Sequence, residues 1–70
     1  LAEAKIIAER LSDNNAIWFH FMAINRLGFD KCYELASIAL LARREGRIDV
    51  TPARYYNGCV TKELRERTQQ

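Results

Sequence analysis

Apolar residues recur at helical spacing in four separate stretches of the chain, and this periodicity limits the fold more than any other feature. In the first stretch, Ala4, Ile7 and Leu11 fall on one face because an α-helix repeats about every 3.6 residues. No alternating run of β-branched and polar residues reaches five, so strand signals are nearly absent. The pattern therefore predicts an all-α fold.

Glycines, capping residues and the single proline mark where the helices begin and end. Gly28 and Gly46 suit the left-handed position that closes a helix, and residues 12–15 ("SDNN") are rich in N-cap side chains. Asp30 is expected to cap the third helix, and the Thr-Pro pair at 51–52 suits the start of the fourth. The four predicted helices span about residues 2–11, 15–27, 30–45 and 52–68, with short connections typical of a small antiparallel bundle.

The length and composition of the chain predict one small helical domain, residues 1–70. A 70-residue chain buries only ~60% of the surface that its unfolded form exposes, so its stability margin is thin. The hydrophobic fraction of 49% and the charged fraction of 29% fit a globular chain rather than a disordered one. Because the chain begins with Leu1 rather than Met, we expect a segment of a larger protein or assembly.

No stretch of the sequence suits a membrane or a secretory signal. The longest apolar runs fall far short of the ~20 residues that a helix needs to cross a bilayer. The charged and apolar regions of a signal peptide are not visible either. The two cysteines, Cys32 and Cys59, are interpreted as small buried hydrophobes, with a disulfide as the alternative. These features favour a cytoplasmic protein without a membrane partner.

The residues that usually carry catalysis or bind metals are sparse. His20 is the only histidine, and Ala16, Ala23 and Ile24 surround it at helical spacing, so no acid or nucleophile is expected beside it. The cysteines form no CxxC pair, and the carboxylates match neither a calcium loop nor a metalloprotease motif. We therefore expect a non-catalytic protein with no metal, cofactor or small-molecule substrate.

Positive charge is concentrated in the second half of the chain. Residues 1–30 carry three basic and four acidic side chains, whereas residues 31–70 carry eight basic and five acidic ones. Within this half, basic residues flank the predicted link between the third and fourth helices. This basic corner consists of Arg43, Arg44, Arg47 and Arg54, followed by Tyr55.

The basic corner has the side chains that favour phosphate groups. An arginine fork binds phosphate oxygens, and the free N–H groups at a helix start also favour anions. Tyr55 adds a hydroxyl or a stacking face. These features predict contacts with the backbone of a nucleic acid. Alternatively, the corner is a solvated surface or a protein interface, since Glu45 and Asp49 dilute its charge.

A cluster of large apolar side chains on the second helix suggests the alternative function, which is the docking of a partner protein. Trp18, Phe19, Phe21 and Met22 are interpreted first as core residues. Side chains at neighbouring positions of a helix point in different directions, however. The second helix is therefore either packed between other elements on two sides or in contact with a partner on one side. The candidate protein interface comprises Trp18 and Phe19. The polar end of the fourth helix offers a second docking face for other protein subunits, and Gly58 within that helix predicts a close approach of another helix.

An alanine-rich third helix, a basic loop and a "P-x-x-Y" helix start follow one another in this chain. This order resembles small helical modules of bacterial plasmid, phage and mobile-element replication proteins, including DnaD-like helicase loaders. The matching residues are Ala39, Ala42, Arg43, Gly46, Arg47, Pro52, Ala53, Arg54, Tyr55 and Tyr56. The resemblance covers most of the chain and implies association with DNA and contact with replication proteins. It carries over no catalytic residue.

Overall fold

The computed structural model describes residues 2–68, which form helices and turns and contain no strand. Within that range, α1 spans Ala2–Arg10, α2 spans Ile17–Leu27, α3 spans Phe29–Arg44 and α4 spans Pro52–Thr68, and a single 3₁₀ turn, Asn14–Ala16, leads into α2. The predicted all-α bundle of four helices is confirmed.

The helices pack mainly against their neighbours in the chain. α1 lies chiefly against α2, and α3 lies chiefly against α4, while α2 also contacts α3 and joins the two pairs. Within residues 2–68, α1 makes no contact with α4. In the same part of the chain, none of the helices combines the length and the apolar character needed to cross a bilayer.

α3 ends in a Schellman motif at Gly46. The Arg47 N–H donates to the Ala42 carbonyl at 2.9 Å, and the Gly46 N–H donates to the Arg43 carbonyl at 3.1 Å. This pattern needs a left-handed residue, and Gly46 has a φ of 72°. The predicted closing role of Gly46 is thus confirmed, and the motif sets the direction in which the chain leaves the basic end of α3.

The same motif closes α1, but there a serine occupies the left-handed position. The Asp13 N–H donates to the Ala8 carbonyl at 2.8 Å, and the Ser12 N–H donates to the Glu9 carbonyl at 3.2 Å. Ser12 has a φ of 53°, the only positive value at a non-glycine position within residues 2–68. Because a Cβ atom crowds the backbone in this region, Ser12 carries strain that glycine would not.

We expect Ser12→Gly to stabilise the protein by roughly 0.5–1 kcal/mol, because relief of this strain outweighs the greater backbone entropy of glycine in the unfolded chain. Urea unfolding followed by far-ultraviolet circular dichroism measures the change. Ser37→Gly is the matched control and should lower stability, since Ser37 lies inside α3 and accepts a hydrogen bond from Arg10 at 3.2 Å. A loss of stability in both variants would contradict the expected relief of strain.

A single glycine separates α2 from α3. Gly28 has a φ of 88°, and its N–H donates to the Ile24 carbonyl at 2.8 Å. Its own carbonyl accepts the Cys32 N–H at 3.2 Å, which is already the first hydrogen bond of α3. The prediction that Asp30 caps this helix is therefore wrong, because α3 begins one residue earlier, at Phe29. Asp30 lies in the first turn instead, where its carboxylate suits the positive end of the helix dipole.

The core combines the predicted face of α1 with residues of α2, α3 and α4, and several of those from α3 are small. Ile7 is fully buried, which confirms the apolar face predicted for α1. Ala36 and Ala39 are also fully buried, and their small side chains let α3 approach its neighbours closely. The buried members of the core cluster are Ile7, Leu11, Ala23, Leu27, Cys32, Leu35, Ala36, Ala39, Tyr56 and Val60.

α2 turns an unexpected face to the core. Its buried residues are His20, Ala23 and Leu27, whereas Trp18 is 75% exposed. The interpretation of the large apolar cluster as core is therefore wrong for Trp18. The reason is that α2 carries apolar residues on almost every side, so their spacing does not select one face. A histidine occupies the buried face, where an apolar residue would be expected.

Candidate nucleic-acid interface

α4 begins at the residues that the sequence indicates. The Thr51 hydroxyl accepts a hydrogen bond from the Arg54 N–H at 3.2 Å, and the Thr51 carbonyl accepts one from the Tyr55 N–H at 3.1 Å. Pro52 takes the first helical position, where its missing N–H leaves no intrahelical bond unmade. This cap holds Arg54 on the exposed side of the first turn, with Tyr55 half-buried beside it.

Two arginines of the basic corner are engaged within the protein. Arg43 donates from Nη1 to the Ile48 carbonyl at 3.3 Å, so it braces the link between α3 and α4. Arg47 donates from Nε to Glu45 Oε1 at 2.8 Å, and both partners are about half exposed. An exposed ion pair of this kind contributes about 1 kcal/mol at most. Arg47 can therefore exchange Glu45 for another anion at little cost.

Arg44 and Arg54 are the two arginines of the basic corner whose side chains have no bonding partner within residues 2–68. Both side chains are exposed, one at the last position of α3 and the other in the first turn of α4. No carboxylate of residues 2–68 forms an ion pair with either. The four predicted arginines thus divide into two that hold the protein's own groups and two that are available to a ligand.

The exposed side of α4 carries two further cations that the sequence analysis missed. Lys62 and Arg65 lie eight and eleven residues after Arg54, so all three fall on one side of the helix, and all three are exposed. Within residues 2–68, neither Lys62 nor Arg65 has a carboxylate at ion-pair distance. The helical spacing of Arg54, Lys62 and Arg65 in the sequence indicates that they share one side of α4. An ideal helix also places Glu66 at pairing distance from Lys62, however, which suggests that Lys62 is neutralised.

A shallow depression lies against α4 between Arg54 and Lys62. Its lining residues are Val50, Arg54, Tyr55, Gly58, Cys59 and Lys62. Gly58 contributes no side chain to this lining, and apart from its chain neighbours and the backbone of its own helix no heavy atom lies within 4 Å of the position that a Cβ would take. The prediction that Gly58 admits a neighbouring helix is therefore wrong, because no other part of residues 2–68 comes near that position.

The two cysteines are free thiols, which excludes the disulfide alternative. Cys32 lies in the core, and burial raises the pKa of its thiol, although the Tyr56 hydroxyl and the Arg67 charge oppose the effect. Burial also raises the pKa of Cys59, and the Tyr55 hydroxyl lowers it in part. Both thiols stay protonated at neutral pH, so neither is an activated nucleophile.

His20 is a buried residue with an acidic partner. Its Nε2 lies 3.1 Å from Asp13 Oδ2, so the expectation that no acid lies beside it is wrong. Asp13 lies in the turn that precedes α2, so helical spacing around His20 does not indicate this partner. The His20 ring is fully buried, 5.6 Å from the ring of Tyr56. The pair therefore ties the link between α1 and α2 to the core.

The two residues of the candidate protein interface lie in different environments. Trp18 is on the surface, with its ring edge-on to Phe21 at 6.1 Å between centroids. Phe19 is half-buried, packs against the core and lies 6.5 Å from the ring of Tyr56. An apolar depression next to the indole is lined by Lys5, Asn14, Ile17 and Trp18. An interface at this end of α2 would therefore be centred on Trp18.

No family model, curated protein or solved structure matches the chain. Within residues 2–68, no group of three or more His, Cys, Asp or Glu side chains is arranged to hold a metal ion.

Proposed function

We propose that this protein is a non-catalytic module that binds the sugar-phosphate backbone of a nucleic acid, DNA in preference to RNA. One observation carries the proposal: Arg44 and Arg54 are exposed on the two sides of the α3–α4 link, and no carboxylate of residues 2–68 pairs with them. Unpaired arginines at neighbouring helix ends have the charge that a phosphate backbone requires.

The remaining residues of the basic corner have supporting roles in this proposal. Arg43 stabilises the conformation of the α3–α4 link through its hydrogen bond to the Ile48 carbonyl. Arg47 exchanges its exposed partner Glu45 for a phosphate when the ligand binds. Tyr55, half-buried in the first turn of α4, offers its ring edge or hydroxyl next to Arg54. Phosphate contacts of this kind position a protein on nucleic acid without reading its sequence.

The proposal includes a cellular setting. The resemblance to DnaD-like modules suggests replication of a mobile element, in which this domain belongs to a larger cytoplasmic assembly. Other protein subunits would then dock on faces that the nucleic acid leaves free. No reaction and no small-molecule substrate belong to this proposal.

We expect Arg44→Ala/Arg54→Ala to weaken DNA binding and to lower the slope of log affinity against log salt by about two, one for each lost phosphate contact. Fluorescence anisotropy with labelled single-stranded DNA, duplex DNA and RNA at ~50 and ~200 mM salt measures both quantities. Two contacts correspond to roughly a ten-fold change in affinity over this salt range.

Arg26→Ala is the matched control for this experiment. It removes the same charge from an exposed position on α2, next to the start of α3, whereas Arg44 lies at the other end of that helix. α3 has 16 residues, so its ends are about 24 Å apart. Absence of binding by the wild-type protein, or equal losses in Arg26→Ala and the double variant, would overturn the proposed function.

A second function, docking of a partner protein, is supported by Trp18. An indole that is 75% exposed beside an apolar depression is typical of a residue that becomes buried on association. Under this alternative, Trp18→Ala abolishes association with the partner and leaves nucleic-acid binding unchanged. The two functions use different faces and are compatible in one protein.

A further inference from the structure

We propose that the nucleic-acid contact extends along α4, with the sugar-phosphate backbone lying against Gly58 between Arg54 at one end and Lys62 and Arg65 at the other. This inference rests on the proposed function and adds the path of the ligand. It assigns a binding role to Gly58, Lys62 and Arg65, which lie outside the basic corner.

The cations on this side of α4 are spaced so that they can contact several phosphates of one strand. With a rise of about 1.5 Å per residue, Lys62 lies about 12 Å along the helix from Arg54, and Arg65 lies about 4.5 Å further. Successive phosphates of one DNA strand in a duplex are about 3.4 Å apart along the axis, so these side chains reach several of them. The face that they form is exposed at each of the three cations.

Neither acidic residue of α4, Glu63 or Glu66, forms an ion pair with Arg54, Lys62 or Arg65 within residues 2–68. Glu63 lies 3.2 Å from Arg67 and 3.8 Å from Lys31, so its carboxylate is held on the side of α4 toward α3. Between Pro52 and Lys62 the sequence contains no acidic residue. A polyanion that follows the exposed side of α4 from Pro52 would therefore meet three cations before it reaches the exposed carboxylate of Glu66, which directly follows Arg65.

Gly58 is the second observation that points to a ligand. Glycine is unfavourable inside a helix relative to alanine, and Gly58 lacks the positive φ that justifies Gly28 and Gly46. No neighbouring atom lies within 4 Å of its missing Cβ, so nothing within residues 2–68 requires a glycine there. A glycine that the fold does not need, in a depression flanked by cations, lets a ligand approach the helix backbone closely.

The lining of the depression suits a sugar-phosphate backbone. Arg54 and Lys62 supply charge, while Val50, Tyr55 and Cys59 supply apolar and aromatic surface. A ribose or deoxyribose ring presents an apolar face between its phosphates, which matches this mixture. An acidic peptide shares the charge but not the regular alternation of phosphate and sugar, and it is an outcome that the experiment separates.

The experiment compares Gly58→Ala, Gly58→Leu and Lys62→Ala/Arg65→Ala with wild type in the same anisotropy assay, using single-stranded and duplex DNA. Lys5→Ala is the control, since it removes an exposed cation from α1, which does not contact α4 within residues 2–68. We expect Lys62→Ala/Arg65→Ala to reduce the salt slope by about two and Lys5→Ala to leave it unchanged.

The Gly58 variants are expected to change stability and DNA binding in different directions. Alanine at this position should raise the melting temperature by roughly 4–8 °C, because the helix is favoured and the added methyl meets no neighbour. Both Gly58 variants should nevertheless bind DNA more weakly, leucine more so than alanine. A glycine with a purely structural role would not produce a more stable protein that binds less well.

The possible outcomes distinguish this inference from the proposed function. Binding that depends on Arg44 and Arg54 but is unchanged in the Gly58 and Lys62/Arg65 variants overturns the path along α4 alone. No binding by wild type overturns both. Binding of polyglutamate with the same affinity as DNA of equal charge also overturns the assignment of this face to a nucleic acid. Weaker binding by the Gly58 and Lys62/Arg65 variants, with Lys5→Ala unchanged, supports the inference, and the form of DNA that binds more tightly is then its ligand.

Discussion

Tyr56→Ala is expected to lower the free energy of unfolding by about 3–5 kcal/mol, the range for loss of a large buried aromatic side chain. Tyr56 is fully buried and its ring packs against α2, with centroid distances of 5.6 Å to His20 and 6.5 Å to Phe19. A domain of this length has a total stability of about 4–10 kcal/mol. The substitution should therefore remove a large share of this stability, as measured by circular dichroism and urea titration.

Tyr56→Phe is the control that separates the ring from its hydroxyl. The hydroxyl is buried, and no hydrogen-bond partner that satisfies normal geometry lies within residues 2–68, although the Cys32 thiol is its neighbour. Removal of a buried and unpaired polar group is expected to be neutral or to stabilise by up to ~1 kcal/mol. A loss above ~2 kcal/mol in Tyr56→Phe would instead mean that the hydroxyl makes a strong bond.

The same hydroxyl gives the protein a sensitivity to alkali. Burial, and secondarily the Cys32 thiol, raises the pKa of Tyr56 above its ordinary value of 10.0. The folded state therefore holds this proton more tightly than the unfolded state, so the resulting stability is fully present below pH 10 and is lost as the pH rises above it. Wild type should lose stability more steeply than Tyr56→Phe over this alkaline range.

Ile7→Ala is expected to destabilise the protein by about 2–4 kcal/mol, whereas Ile6→Ala should change stability by about 0.5 kcal/mol or less. The two residues are adjacent in α1, have identical side chains and undergo the same substitution. Ile7 is fully buried, while Ile6 is 44% exposed. The difference between the two variants therefore reports burial alone, free of any difference in helix propensity.

Urea unfolding of the two isoleucine variants measures this difference. Equal small losses would mean that α1 is not docked on α2 and α3 in solution. Equal large losses would mean that the exposed side of α1 is covered in solution, for instance by a second copy of the chain. Sedimentation at several protein concentrations distinguishes that case from a general weakness of the bundle.

The helices were predictable to different degrees, and α1 and α2 show why. In α1 the apolar residues occupy one side, so the burial of Ile7 follows from spacing alone. In α2 they occupy nearly all sides, and helical periodicity then carries little information about the buried face. The buried position of His20 depends on Asp13, which lies in the preceding turn and becomes a neighbour only when α1 closes in its Schellman motif.

The candidate site was also predictable from the sequence only in part. The residue types of the basic corner and their positions at helix ends follow from the sequence, because caps and glycines locate the α3–α4 link. Which arginine remains unpaired does not follow, since exposed ion pairs differ by less than ~1 kcal/mol. Arg47 pairs with Glu45 only through the local geometry around Gly46. Lys62 was missed for the same reason, because the sequence permits a pair with Glu66 that the structure does not form.

The packing of each helix against its neighbour in the chain has a consequence for the speed of folding. α1 with α2, and α3 with α4, can each assemble by closing a link of only a few residues. Closure of short loops takes about 10–100 ns, and little chain entropy is lost before the first contacts form. Helical domains dominated by such local contacts reach the native state in microseconds to milliseconds. A domain of this kind can fold soon after it leaves the ribosome.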